Sequence, residues 1–161
     1  MDKKLHSLIK FIFKLLHIKV SEAALSSIVQ FIKFCIVGVS NTVISYVLNI
    51  LVLFLMSPYH ISWDYLAGNV IAFVLSVLWS FYWNNRFVFT SQENEERSLV
   101  KTLLKTYVAY GFTGIILNNI LSWVWISILG ISKYVAPLIN LIISVPVNFV
   151  INKLWAFKSD K

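Results

Sequence analysis

The sequence predicts an all-α membrane protein: four transmembrane helices arranged as two parallel helical-hairpin repeats, preceded by an N-terminal amphipathic helix. Three observations carry this. The 161 residues are 58% hydrophobic and only 13% charged, too apolar for a soluble domain of that size. Four apolar windows, Phe34–Met56, Tyr65–Trp83, Tyr107–Leu129 and Tyr134–Ile151, contain no charged side chain, and each approaches the roughly 20 residues that a helix needs to cross about 30 Å of hydrocarbon. Finally, the stretch Ser80–Phe89, S-F-Y-W-N-N-R-F-V-F, returns near the C-terminus as Asn148–Phe157, N-F-V-I-N-K-L-W-A-F.

At a constant offset Ser144 falls on Ser76, Phe149 on Phe81, Asn152 on Asn84, Trp155 on Phe87 and Phe157 on Phe89. A short polar break precedes each copy, Ser57–Asp64 and Gly130–Lys133, and before each break lies an apolar stretch opened by a lysine, Lys33 or Lys105. The expected units are residues 31–89 and 103–157, within a membrane domain of residues 30–157. Each unit crosses the membrane twice, so both begin on the same side and are related by an axis along the membrane normal, unlike the inverted repeats of many transporters.

The N-terminal segment, residues 1–29, is ordered differently. Lys3, His6, Lys10, Lys14 and His17 recur every three or four residues, with Leu5, Leu8, Ile9, Ile12, Leu15 and Leu16 opposite. This is the pattern of a basic amphipathic helix that lies among the headgroups of an anionic leaflet, or of an ordinary helical tail. Lys10 and Lys14 interrupt the apolar run and no small-residue cleavage site follows, so a cleavable signal is not expected. A break at Ser21–Ser27 is expected to turn the chain into the first span. Residues 91–98, S-Q-E-N-E-E-R-S, read as a solvated linker between the units.

The charges predict orientation. Lys3, Lys4, Lys10, Lys14, Lys19 and Lys33 precede the first span; Arg86, Arg97, Lys101 and Lys105 lie between the second and third; Lys153, Lys158 and Lys161 follow the fourth, and Lys133 alone falls on the other side. By the positive-inside rule both termini and the central linker are cytoplasmic. The net charge of +7 is then a topology signal and no nucleic-acid partner is expected. The lone Cys35 reads as a small buried hydrophobe.

Polar residues inside the spans fall on helical faces. Asn69, Ala72, Ser76, Ser80 and Asn84 share one face of the second span, and Pro137, Asn140, Ser144, Asn148 and Asn152 one face of the fourth. Gly38, Asn41, Thr42, Ser45 and Asn49 mark the first, and Gly111, Gly114, Asn118 and Ser122 the third. Such seams either pack helices or surround a polar headgroup. Pro146, inside the fourth span, frees a backbone carbonyl. No acidic, basic or imidazole side chain lies within a span, and no nucleophile–base set, metal-ligand set or phosphate-gripping loop is present, so neither catalysis, a cofactor nor a metal is expected.

At the signature ends, arginine grips phosphate bidentately and asparagine offers donors and acceptors to sugar hydroxyls. Positive-inside anchoring with an aromatic belt accounts for Arg86, Lys153, Trp83 and Trp155 without any ligand. The candidate contacts to a lipid phosphate or sugar are Asn41, Asn84, Asn85, Arg86, Asn148, Asn152 and Lys153.

The F-x-K-F-x-x-V-G-x-x-N-T start (Phe31–Thr42), the N-x-x-F-x-F end of the first hairpin and the N-F-x-x-N-K-x-W-x-F end of the second together resemble the GtrA-like family of four-span membrane proteins. The resemblance covers residues 30–157. It implies a place in bacterial surface glycosylation at the cytoplasmic membrane: flipping a polyprenyl-phosphate-linked sugar, such as an undecaprenyl one, to the outer leaflet beside a membrane glycosyltransferase, for polymers such as O-antigen or teichoic acid. The pattern is not symmetrical, since Leu154 stands opposite Arg86 and Lys153 comes one residue earlier. The alternative is a non-transporting subunit that anchors the glycosyltransferase; a small pore or exporter is a third reading. Four helices make a thin wall around a headgroup, which points to a homo-oligomer or a complex.

Overall fold

The structure, a computed structural model, describes residues 2–59, 64–90, 97–133 and 135–159, with side chains from Leu5 onward. Of the features expected from the sequence, the Lys3 and Lys4 side chains, residues 60–63 of the first break, residues 91–96 of the acidic linker, Tyr134 and Lys161 lie outside the described residues. Among the described residues five helices follow one another: α1 (Asp2–Leu15), α2 (Glu22–Tyr59), α3 (Asp64–Val88), α4 (Leu99–Ile128) and α5 (Ala136–Ala156). There is no strand among the described residues. The last four helices are long and apolar enough to cross a membrane, so the chain is a multi-pass membrane protein.

The sequence places a break over Ser21–Ser27, but the structure confines it to the few residues before α2. Ser21 is the N-cap, its Oγ accepting the Ala24 amide at 3.2 Å, and α2 runs unbroken from Glu22. Ser26 and Ser27 are already helical, because Ser21 satisfies an amide that the helix start would otherwise leave open. The 35 α-helical residues of α2 extend roughly 52 Å. That exceeds the hydrocarbon thickness, so its first turns project beyond the apolar window.

α1 folds back on that projecting root. Ile9, Leu25 and Val29 form a small buried cluster with Leu5, Phe13, Val20, Ile28 and Ile32 against it. His6 and Lys10 reach Glu22 in the first turn of α2. The apolar side of α1 is therefore divided: Leu5, Ile9 and Phe13 face α2, while Leu8, Phe11, Ile12, Leu15 and Leu16 stay exposed.

Small residues hold the hairpins together. In α3 the buried row is Gly68, Ala72, Ser76, Ser80 and Asn84, and in α5 it is Ala136, Asn140, Ser144, Asn148 and Asn152. Strict spacing of four puts these on a single ridge able to seat in a neighbour's groove. Asn69 and Pro137, expected on these faces, lie one residue off the ridge and are exposed. Gly68 lets α2 and α3 approach closely: a Cβ there would stand 3.0 Å from Asn49 Nδ2, and that amide, which donates to Asn69 Oδ1 at 3.0 Å, would have to shift.

Each signature ends its helix in the same unusual way. The α-helical repeat gives way to a π-turn at Asn84–Val88 and again at Asn152–Ala156. The Phe89 amide donates to the Asn84 carbonyl at 2.7 Å, and the Phe157 amide to the Asn152 carbonyl at 2.8 Å. The first and last residues of N-x-x-[FW]-x-F are thus the two ends of a wide i to i+5 turn. Beyond the turns the hairpins meet in an aromatic core of Phe34, Phe89, Phe149 and Phe157. Phe81 stacks on Phe157 at 6.0 Å and Phe149 on Phe89 at 5.9 Å, the same contact with the two units exchanged.

α4 departs from this regularity. It carries π-turns at Phe112–Leu117 and Val124–Ile128, and after it Gly130 takes φ 65°, a left-handed turn that glycine enters without steric cost. Pro146 lies inside α5, which continues past it to Ile151.

Candidate functional site

A cavity of about 560 Å³ lies between α2, α4 and α5. It is lined by Phe34, Cys35, Gly38, Val39, Asn41 and Thr42 of α2, by Tyr110, Thr113, Gly114 and Asn118 of α4, and by Leu141, Ser144, Val145 and Asn148 of α5; α3 contributes nothing. Along α2 the lining extends from Phe34 to Thr42, roughly 12 Å of helix, from the aromatic core toward the middle of the bundle. Val39, Thr42, Gly114 and Leu141 are exposed on the outer surface, so the cavity opens sideways, where lipid would be.

Two lining groups are conspicuously unsatisfied. The Oδ1 atoms of Asn41 and Asn118 are buried and have no hydrogen-bond partner, whereas an orphaned buried acceptor costs roughly 1–3 kcal/mol. With Thr42, Thr113, Ser144, Asn148 and Tyr110 they offer amides and hydroxyls to the cavity. Among the described lining residues there is no carboxylate, imidazole or ammonium group. This is a surface that can hydrogen-bond a polar ligand.

Behind the cavity sits the signature network. Asn84 and Asn152 are fully buried. Asn84 Nδ2 donates to Ser80 Oγ at 3.0 Å, and Ser80 shares a short hydrogen bond with the Tyr110 hydroxyl, which joins this network to the cavity wall. Asn152 Nδ2 donates to the carbonyl and side-chain oxygens of Asn148, at 2.8 and 2.9 Å. The Oδ1 atoms of both Asn84 and Asn152 lack a partner.

Cations brace the turns. Lys33 Nζ donates to the Phe87 carbonyl at 3.0 Å and lies 4.7 Å from that ring's centroid; Lys105 Nζ donates to the Trp155 carbonyl at 3.2 Å and lies 5.8 Å from its ring. Each hairpin's opening lysine thus holds the aromatic residue of its own signature, capping a backbone oxygen near a helix end while resting on the π face. Arg97 bridges the units: Nη1 donates to the Phe157 carbonyl at 2.9 Å, and Nη2 to the Phe89 carbonyl at 2.9 Å and to Asn85 Oδ1.

The expected contacts therefore divide. Asn41 and Asn148 line the cavity, as do Asn118 and Ser144 of the seams. Asn84 and Asn152 lie behind it. Asn85 is engaged by Arg97, and Lys153 donates to Ser27 Oγ at 2.7 Å and rests over Phe149. Arg86 is exposed at the same end. Among the other seam residues, Asn49 pairs with Asn69, Ser76 donates to the Phe73 carbonyl, and Asn140 binds Trp125 Nε1, Ser122 Oγ and the Asn118 carbonyl. Tyr110, Thr113 and Arg97 were not singled out from the sequence. Thr102, Thr106, Ala109 and Thr113 are all buried, and their spacing of four, three and four was the available signal.

Residues 33–157 match the family described as the GtrA/DPMS transmembrane domain. The chain belongs to the GtrA/DPMS family. Its matched segment begins at Lys33 and ends at Phe157, the first brace and the last ring of the aromatic core, so α1 and the root of α2 fall outside it. Among relatives, an uncharacterized membrane protein, YngA, of Bacillus subtilis is 28% identical over 126 residues, covering 78% of this chain and 77% of that one. The cell wall teichoic acid glycosylation protein GtcA of Listeria monocytogenes is 27% identical over 128 residues, 80% and 84% of the two chains. A dolichol-phosphate mannosyltransferase of Pyrococcus furiosus is 30% identical over 129 residues, which are 79% of this chain but 34% of that protein.

Proposed function

We propose that this protein carries a polyprenyl-phosphate-linked sugar from the cytoplasmic to the outer leaflet of a bacterial plasma membrane, for glycosylation of a surface polymer such as teichoic acid. The observation that carries the reading is the side-opening cavity, whose buried Asn41 and Asn118 oxygens await a donor. A sugar phosphate crossing hydrocarbon alone loses the hydration of its charge and of every hydroxyl, at a cost of many kcal/mol. A lateral polar cleft replaces those hydrogen bonds while the prenyl chain stays in lipid. The basic end of the bundle faces the cytoplasm on the positive-inside argument. Arg86, exposed beside the signature, is then the first cation that an arriving phosphate meets. With no acidic or basic group among the described residues that line the cleft, transport on this reading is not coupled to an ion and runs down the gradient of the lipid-linked sugar. The protein acts without making or breaking a covalent bond. The family and the relative named for teichoic acid glycosylation support this class of substrate.

The test is leaflet-resolved transport of a polyprenyl-phosphate sugar in proteoliposomes, comparing wild type with Asn41→Leu/Asn118→Leu. Transport by wild type that the double variant lacks supports the reading; folded wild-type protein that moves no lipid-linked sugar ends it.

The second reading, a membrane anchor for a glycosyltransferase, is favoured by the mannosyltransferase relative, in which the matched unit is a minor part of a longer enzyme. It requires that cleft variants leave glycosylation intact in cells, while changes to α1 abolish recruitment of the enzyme.

A further inference from the structure

We propose that the cleft between α1 and the root of α2 is a binding site for a single anionic glycerophospholipid. The cleft, about 380 Å³, has an apolar floor of Phe13, Ile18, Val20 and Leu25, and Lys14, His17 and Lys19 stand around it. Lys10, on the same wall, is drawn away to Glu22. The site lies outside the family's matched segment and is separate from the transport cleft, so it stands or falls independently of the function proposed above.

The local backbone is built for this opening. α1 ends in a Schellman motif: the Ile18 amide donates to the Phe13 carbonyl at 3.0 Å and the His17 amide to the Lys14 carbonyl at 3.1 Å. Phe13 and Ile18, the positions of the motif's hydrophobic pair, both line the cleft. Glycine is the usual residue at the left-handed position of this motif, yet here His17 occupies it, at φ 56°, a conformation that histidine tolerates with some strain. The turn sets Lys14 and Lys19, on either side of it, about one cavity.

Charge complementarity and the apolar floor identify the occupant. Two ammonium groups and an imidazole attract a phosphate; the floor accommodates glycerol and the start of an acyl chain, which a soluble anion does not have. The exposed Leu8, Phe11, Ile12 and Leu15 of α1, with Leu16 just after it, form an apolar face that sinks into the membrane boundary. The cleft beside them is then at headgroup depth. This is a discrete site, distinct from the diffuse attraction of a basic helix to an anionic surface.

The experiment is native mass spectrometry of the full chain extracted from nanodiscs of mixed phosphatidylglycerol and phosphatidylcholine. Wild type is expected to retain one phosphatidylglycerol per chain. Lys14→Gln/Lys19→Gln, at two exposed positions, is expected to bind it about thirtyfold more weakly, taking the usual contribution of each basic residue near an anionic lipid. Lys14→Arg/Lys19→Arg restores retention. The control Lys101→Gln/Lys158→Gln removes the same charge at the same end and keeps the lipid. Equal loss in both glutamine doubles reduces the effect to bulk surface charge and overturns the proposal, as does retention of phosphatidylcholine as readily. Displacement of the lipid by inorganic phosphate alone overturns it too, since the apolar floor would then contribute nothing.

Discussion

Phe89 and Phe157, the closing residues of the two signature turns, stack with ring centroids 4.7 Å apart and planes 27° from parallel. Each is fixed from behind by a π-turn bond to its own asparagine and in front by one guanidinium, Arg97, that holds both their carbonyls. The two units thus meet through equivalent residues, which places the local axis between these rings.

Phe89→Leu and Phe157→Leu should each destabilise the bundle, and the double variant should lose less than the sum. A coupling energy of about 1 kcal/mol is expected for a stacked pair. Reversible unfolding in mixed micelles, analysed as a double-mutant cycle, measures it; strict additivity would show that the rings are neighbours without mutual dependence.

Arg97→Lys should destabilise nearly as much as Arg97→Ala, by about 2 kcal/mol, because only a planar fork reaches the Phe89 and Phe157 carbonyls together. Thermal unfolding of the purified protein checks this. If lysine proves equivalent to arginine, the site responds to charge alone.

Asparagines in the same membrane domain should behave in opposite ways. Asn140→Leu strands the Trp125 indole N–H and the Ser122 hydroxyl and should cost about 2 kcal/mol. Asn41→Leu and Asn118→Leu each remove an orphaned acceptor and should leave stability unchanged or slightly raised, while transport falls at least about tenfold, the equivalent of one lost hydrogen bond of about 1.4 kcal/mol to the ligand. A pair of melting curves with a transport assay separates the two classes; a destabilised Asn41→Leu would make its oxygen part of the packing.

Gly114 has open space where a Cβ would stand, whereas Gly68 has Asn49 at 3.0 Å. Gly114→Leu should therefore fold normally and obstruct the cleft. Gly68→Leu should destabilise by about 2 kcal/mol, through overpacking and loss of the Asn49–Asn69 pair. Comparing folded yield with transport rate distinguishes obstruction from misfolding.

The four spans, the paired signatures and the opening lysines were legible because each rests on composition, spacing or charge, which are properties of the sequence itself. The use made of them was less so. N-x-x-[FW]-x-F is visible as a repeated motif, but its closing i to i+5 bond runs between backbone atoms that every residue possesses. Arg97 read as one more charge beyond the spans, since its partners are carbonyls, which leave no trace in side-chain patterns. Likewise each helix shows a polar seam, yet only packing decides that Asn140 is fully satisfied while Asn118, on the facing helix, is left with an open acceptor. The cleft itself lies between α2 of the first hairpin and α4 and α5 of the second, and the π-turns that interrupt α4 have no reliable sequence signal.

Lys153, in the last turn of α5, touches Ser27, in the root of α2. The chain therefore enters and leaves the bundle at one end, side by side. A globular enzyme could be grafted onto either terminus and be displayed on the same face of the membrane, with no extra crossing needed to return it. The unit behaves like a plug with both leads at the same socket, compatible with standing alone or with being spliced to a catalytic domain at whichever end is convenient.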